Sequence, residues 1–271
     1  MKINKKVKRK TSEVKAHSEF GGSQAKRIKE CPASVRACRG IPNKTNPAAE
    51  RGTHAHACLE FIVNNRTKLK DKKERKKILK IAENHADWDE HMVECALDAL
   101  TYIQSKRAPK GKIFVEMKVD STKFTTGDVK NPQSSTLDLL IANYSARTLW
   151  VIDYKFGKHP VEVKKNDQIL YYAVAALIKL NGWDDFDTII CGIIQPNAYH
   201  KLGCEREWVV SVDDAVKWAR KFKKKVKIAL KPNAPYKYGD WCFFCLANSK
   251  CPVIAERKLN KEFEDYSTKG K

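Results

Sequence analysis

Apolar and polar positions along this chain follow two periods, one close to 3.6 and one of two. Asn46-Pro47 reads as a helix N-cap followed by proline at the first helical position. The helix is expected to run through Glu50, His56 and Glu60 to about Asn64. A charged helical insertion follows over roughly Lys70–Lys106. Lys112–Val119 then sets Ile113, Val115, Met117 and Val119 against Phe114, Glu116 and Lys118, the alternation of a strand. Ser135–Ala142 and Thr148–Tyr154 read as two more strands, and Asn166–Leu180 as a helix closed at Gly182. Thr188–Ile194 and Glu207–Val212 are further strands. Ser211, with Asp214 three residues on, predicts the cap of a last basic helix ending near Leu230. The order helix, three strands, helix, strand predicts an α/β domain with a mixed central sheet flanked by helices.

The ends lack periodicity. Residues 1–20 are Lys-rich and read as a basic disordered tail, and 257–271 read as a second tail, leaving one domain over 21–256. A chain of 271 residues can bury a sizeable core. No run approaches the roughly 18 apolar residues of a membrane span. The basic start MKINKKVKRK lacks the apolar stretch of a secretory signal. A cytoplasmic protein without a membrane partner is therefore expected.

Charge narrows the partners. Fifty-three Lys and Arg against 32 Asp and Glu give +21. The basic residues cluster: six in the first ten positions, others in Arg66–Lys80 and Lys217–Lys231. Such a field favours polyanions, nucleic acid above all. A basic membrane-surface helix would need a strongly amphipathic Trp/Phe/Leu face, which these clusters lack.

The sharpest local feature is Ile152-Asp153-Tyr154-Lys155. Positions two apart on a strand share a face, so Asp153 and Lys155 project together. An isolated Asp-x-Lys is most often a plain ion pair. Asp138, however, interrupts the otherwise apolar Leu137-Asp138-Leu139-Leu140, and a buried carboxylate needs a cation or donors. Asp138 and Asp153 together could hold a hard divalent ion such as Mg²⁺ or Mn²⁺. Gly52, His56 and Glu60 are spaced four apart and share one helical face, as do Gln168 and Tyr172 on theirs. His54 and His56, two apart, do not share a face, which argues against a zinc pair.

Taken in order, GTxxHxxxE, a strand Asp, DxK and QxxxY resemble the RecB-like branch of the PD-(D/E)XK nuclease superfamily, with its restriction-endonuclease-like fold. The run NDQILYYAVAAL after VIDYKFG is similar to an uncharacterised family common in bacteriophages and prophages, which would place the protein in a host cytoplasm. The resemblance spans roughly Ser23 to Glu256. It implies that His56, Asp138, Asp153 and the Tyr154 carbonyl ligate the metal. Lys155 would position the attacking water and steady charge on the phosphate, with Gln168 and Tyr172 bracing Lys155 or touching the DNA. Glu60 and Glu116 would support from behind. Relatives commonly approach the strand Asp through a small-residue GTAD-like run, where this chain has Ser135-Thr136-Leu137-Asp138. Leu137 points to the opposite face, so the role of Asp138 is expected to survive.

Nine cysteines in a cytosolic chain argue for metal ligation or core use over disulfides. Cys242-Phe243-Phe244-Cys245 with Cys251 is C-x2-C-x5-C, and Cys31 is the natural fourth ligand, with Cys38 its competitor. This one-plus-three arrangement resembles the iron–sulfur variety of RecB-like nucleases. It implies a [4Fe–4S] cluster stapling a C-terminal lobe over 236–256, with a structural zinc as the alternative. Cys58, Cys95, Cys191 and Cys204 read as small core or surface residues.

The expected function is metal-dependent hydrolysis of DNA phosphodiesters, as an exonuclease on single-stranded ends. Phage or host recombination proteins are possible partners. Trp208, Trp218, Phe222, Tyr236, Tyr238 and Trp241 lie near the basic segments and could stack bases, although most are expected in the core. The rival readings are a non-catalytic nucleic-acid-binding module, a phage assembly protein and a redox protein using the cluster.

Overall fold

The computed structural model of the chain describes residues 18–43, 46–106 and 111–269. Two short helices, α1 (Ala25–Glu30) and α2 (Ser34–Cys38), precede α3 (Pro47–Asn64), α4 (Lys72–Glu83) and α5 (Glu90–Lys106). Strands β1 (Lys112–Asp120), β2 (Ser134–Asn143) and β3 (Thr148–Tyr154) follow, then α6 (Asp167–Leu180), β4 (Thr188–Ile194), β5 (Glu205–Ser211), α7 (Val212–Ala229) and α8 (Pro252–Lys269). The strands form one five-stranded sheet in the order β1-β2-β3-β4-β5. Only β3 and β4 are parallel, joined through α6; the other neighbours are antiparallel. The mixed α/β architecture agrees with the alternation read from the sequence.

The sheet is covered on both sides. Side chains of α1, α6 and α7 pack with Leu137, Leu140, Val151 and Ile193 on one face. Those of α3, α4 and α5 pack with Leu139, Ile141, Trp150 and Ile152 on the other. Burial on both faces explains why β2 and β3 are almost continuously apolar, and why a lone Asp in each is conspicuous.

Local signals fix several boundaries. The Asn46 side chain accepts from the Ala49 amide at 2.9 Å, capping α3 with Pro47 behind it. Asn166 accepts from the Gln168 and Ile169 amides, and Ser211 from that of Asp214.

Four expectations require correction. The segment 70–106 is not simply an insertion: Met92, Val93, Ala96, Ala99, Leu100 and Ile103 of α5 are buried core. The left-handed residue ending α6 is Asn181 rather than Gly182, whose absent side chain instead makes room for the Phe186 ring. Residues 257–269, read as a tail, continue α8. Of the basic tail, 1–17 lie outside the described residues, but Phe20 is fully buried, so the domain starts earlier than 21. Both charged segments sit on outer helix faces, Lys72–Lys80 along α4 and Lys217–Lys227 along α7. Among the described residues no helix is long and apolar enough to cross a membrane.

Candidate metal centre and cysteine cavity

The site forms where the sheet stops being regular. The β1–β2 ladder runs Val115 to Leu139 and Met117 to Leu137, and skips Glu116 and Asp138 between them. Glu116 has φ +48°, a left-handed conformation costing a non-glycine residue about 1–2 kcal/mol. Regular alternation would place Ile113, Val115, Met117 and Val119 on one face. Instead Ile113 and Val115 pack with α3 and α5, while Met117 and Val119 pack with α6 and α7. The strand turns over at Glu116, and its carboxylate comes to rest against His56 of α3. Backbone strain kept at a cluster of charges is common where the geometry is functional.

His56 Nδ1 lies 3.3 Å from Glu116 Oε1 and 3.5 Å from Asp138 Oδ1. Among the described residues these three form the one group whose ligand atoms fall within 4.8 Å of one another. The second Asp138 oxygen accepts from the Tyr154 amide at 2.8 Å. Asp153, 1% exposed, meets Lys155 Nζ at 3.0 and 2.9 Å through its two oxygens. Gln168 Nε2 donates to Asp153 Oδ1 at 3.0 Å, and its Oε1 accepts from Lys155 at 3.3 Å. Asp153, Lys155 and Gln168 thus close a triangle built from the end of β3 and the first turn of α6.

Electrostatics link the two halves. Burial pushes Asp138 and Asp153 above the ordinary carboxylate range, and each is further raised by a neighbouring acid. Burial opposes the His56 charge, but Asp138 and Glu116 outweigh it and raise its pKa to about 9. Burial likewise opposes the Lys155 charge, and Asp153 with Asp138 holds the ammonium above its usual value. At neutral pH without metal, the three carboxylates face two cations, His56 and Lys155; once the imidazole is neutral, as ligation requires, the set sums to −3 + 1 = −2 in a protein of net charge +21. A divalent cation cancels that charge, and the set of one imidazole and oxygen donors suits Mg²⁺ or Mn²⁺.

The sequence-predicted residues therefore come together, with two adjustments. Glu116, expected as a supporting group, stands in the ligand cluster itself. Asp153 is engaged by Lys155 and Gln168, close enough to His56 and Asp138 to feel their charges. Glu60, one turn beyond His56, is half-buried and outside the three-residue cluster. The Tyr154 ring is buried edge-on to that of His56, with centroids 5.6 Å apart. Tyr172 lines a cleft of about 580 Å³ with Gly22, Lys118, Ser135 and Thr136. Its ring packs so closely on Gly22 that a Cβ there would come within 2.7 Å. Gly22 carried no sequence signal for this role.

Cys31, Cys242, Cys245 and Cys251 line a single cavity, brought from the start of the chain and from the turns before α8. Burial raises the Cys31 thiol, and the neighbouring Cys242 and Cys251 raise it further. Cys38 Sγ stands 3.7 Å from Cys245 Sγ, and that hydrogen bond lowers one thiol of the pair at the expense of the other. The competitor to Cys31 is therefore a neighbour of the group. Cys58, Cys95 and Cys191 are buried elsewhere, and Cys204 is exposed.

Most aromatics near the basic segments serve packing. Phe222 is fully buried; Trp218 stacks on it at 5.1 Å and donates to Asp167 at 2.7 Å. Trp208 packs half-buried against the core, and Arg36, Lys237 and Arg257 lie over Tyr236, Trp241 and Tyr238. The model of the family described as "Protein of unknown function (DUF2800)" matches residues 17–270, and the chain belongs to that family.

Proposed function

We propose that the protein is a metal-dependent nuclease of the RecB-like PD-(D/E)XK type that hydrolyses DNA phosphodiesters, acting as an exonuclease on single-stranded ends. The observation that carries this reading is the acid-rich cluster of His56, Glu116, Asp138, Asp153 and Lys155 where the β1–β2 ladder is interrupted and β2 and β3 cease to pair. Two buried acids, Asp138 and Asp153, with the half-buried Glu116 beside them destabilise the fold unless cations compensate. Without a metal, protonated His56 and Lys155 offset two of the three; a metal that takes the neutral imidazole replaces the His56 charge, and the site lies in a strongly basic protein suited to a polyanion.

His56, Glu116 and Asp138 would hold the ion, with Asp153 and the Tyr154 carbonyl beside them. A bound Mg²⁺ or Mn²⁺ supplies Lewis-acid activation of the phosphate and lowers the pKa of the attacking water. Lys155 remains protonated at neutral pH and places its charge where negative charge grows on the phosphate. Asp153 and Gln168 fix that ammonium from two sides, which keeps it preorganised. Tyr172 borders the cleft through which a strand could approach.

Cys31, Cys242, Cys245 and Cys251 suit a [4Fe–4S] cluster that ties the first helices to the segment before α8. Four thiolates also suit a tetrahedral structural zinc, and iron and sulfide content separates the two.

The variants Asp153→Asn and Lys155→Ala test the assignment. Cleavage should fall by at least about a hundredfold while DNA affinity stays within a factor of a few. Cleavage persisting in purified Asp153→Asn would remove the proposed site. Strong DNA binding by the wild type without turnover would favour a non-catalytic nucleic-acid-binding module.

A further inference from the structure

The turn between Cys242 and Cys245 points two large rings at solvent. Phe243 is 71% exposed and Phe244 73%, whereas Cys242 and Cys245 on either side face the cysteine cavity. The turn is not loose: the Cys245 amide donates to Cys242 O at 3.1 Å, and Asn248 Nδ2 to the same oxygen at 2.8 Å. The two rings meet edge to face with centroids 4.7 Å apart. The exposed ring of His159 completes the group, 6.0 Å from Phe243 and 6.4 Å from Phe244.

His159 belongs to the loop that leaves β3 directly after Lys155. That loop is held from beneath. Gln195, fully buried, donates through Nε2 to Gly157 O at 3.0 Å and His159 O at 2.7 Å. Its Oε1 accepts from Val161 N at 3.0 Å and from the buried Arg206 at 2.7 Å. Two rigid supports, one on each loop, thus bring three exposed rings together. Exposed paired aromatics held on rigid supports call for an occupant.

We propose that Phe243, Phe244 and His159 form a stacking platform for the unpaired bases of a single-stranded nucleic acid next to the bond cleaved at Lys155. The proposal rests on the nuclease reading for its position and on the rings for its chemistry. Edge-to-face rings leave flat faces open, and every base has a face to offer. The chain from Lys155 to His159 spans four residues, at most about 14 Å when extended, a reach of a few nucleotides. Lys158 is exposed on the same loop, and the net charge of +21 favours a polyanion over an apolar protein segment. Base-paired DNA hides its faces, so the platform selects single strands.

The test is equilibrium binding in EDTA of a short single-stranded oligonucleotide carrying 2-aminopurine, of the same oligonucleotide with abasic positions, and of a duplex. Wild type should quench the fluorescent base and bind the intact single strand more tightly than the abasic one. Phe243→Ala, Phe244→Ala and His159→Ala should each weaken single-strand binding by about tenfold and abolish the preference for intact bases, with duplex affinity unchanged. His159→Ala leaves the cysteine turn intact and so guards against a folding defect there. Equal affinity of wild type and variants for the intact strand overturns the platform, as does an equal loss for all three ligands. Cleavage is blocked throughout. A protein that stacks bases without cutting in Mn²⁺ contradicts the nuclease alone, and one that cuts while all variants bind normally contradicts the platform alone.

Discussion

The amide of Tyr154 donates to Asp138 Oδ2 at 2.8 Å, across the point where β2 and β3 cease to pair. One oxygen of Asp138 is thereby committed to the backbone and the other turns to His56. An Asn at 138 can still accept from Tyr154 but cannot serve as an anionic ligand. Asp138→Asn should therefore melt in EDTA at or above the wild-type temperature, because burial no longer opposes a charge there. It should also lose the rise in melting temperature that Mn²⁺ gives the wild type. Thermal scans with and without Mn²⁺ check this, and an undiminished Mn²⁺ shift in the variant would contradict it.

Glu116 combines a ligand position with a left-handed backbone. Replacing it by Gly removes the carboxylate and relieves the conformation. Stability in EDTA should hold or rise by up to about 1 kcal/mol, while Mn²⁺ affinity falls by about tenfold or more. Denaturant titration and calorimetry read the two quantities separately. A Glu116→Gly variant that binds Mn²⁺ as wild type does would return Glu116 to a supporting role.

The His56 pKa of about 9, against an ordinary 6.5, fixes the sign of a pH effect. In metal-free protein the imidazolium stabilises the fold fully below about 6.5, and the contribution fades as pH rises through about 9. Ligation needs the neutral ring, so Mn²⁺ binding should release a proton at pH 7.5 and weaken as pH falls further. Calorimetry in two buffers of different ionisation enthalpy measures the release. Identical heats in both buffers would exclude His56 as a ligand.

Much of this site was legible in the sequence, for a physical reason. Asp138 and Asp153 break apolar strands, and His56, Gln168 and Lys155 follow from strand and helix spacing, so each stood out against a regular background. Glu116 did not, because period-two alternation assumes an extended backbone and its left-handed turn reverses the rest of β1. Phe243 and Phe244 were hidden for another reason. Spacing alone does not say which way two rings between two cysteines face, and here the turn places both sulfurs inward. The hydrophobic stripe of α5 was masked by its charged neighbours, and α8 carries polar residues throughout the stretch read as a tail.

The cysteine cavity makes its own prediction. Cys31→Ser and Cys251→Ser, purified without oxygen, should lose bound iron and the visible absorbance of a cluster. Cys38→Ser should retain both, since Cys38 neighbours Cys245 without lining the cavity. Iron and acid-labile sulfide per chain distinguish the cases. Stoichiometric zinc without sulfide in the wild type would replace the cluster by a zinc site.

The central claim meets its most direct test in end-labelled single- and double-stranded DNA incubated with anaerobically purified wild-type protein, in Mn²⁺ or in EDTA. Degradation in Mn²⁺ and none in EDTA, starting from single-stranded ends, is the result predicted. Intact DNA in Mn²⁺ and Mg²⁺, with the protein folded and bound to it, would contradict the nuclease.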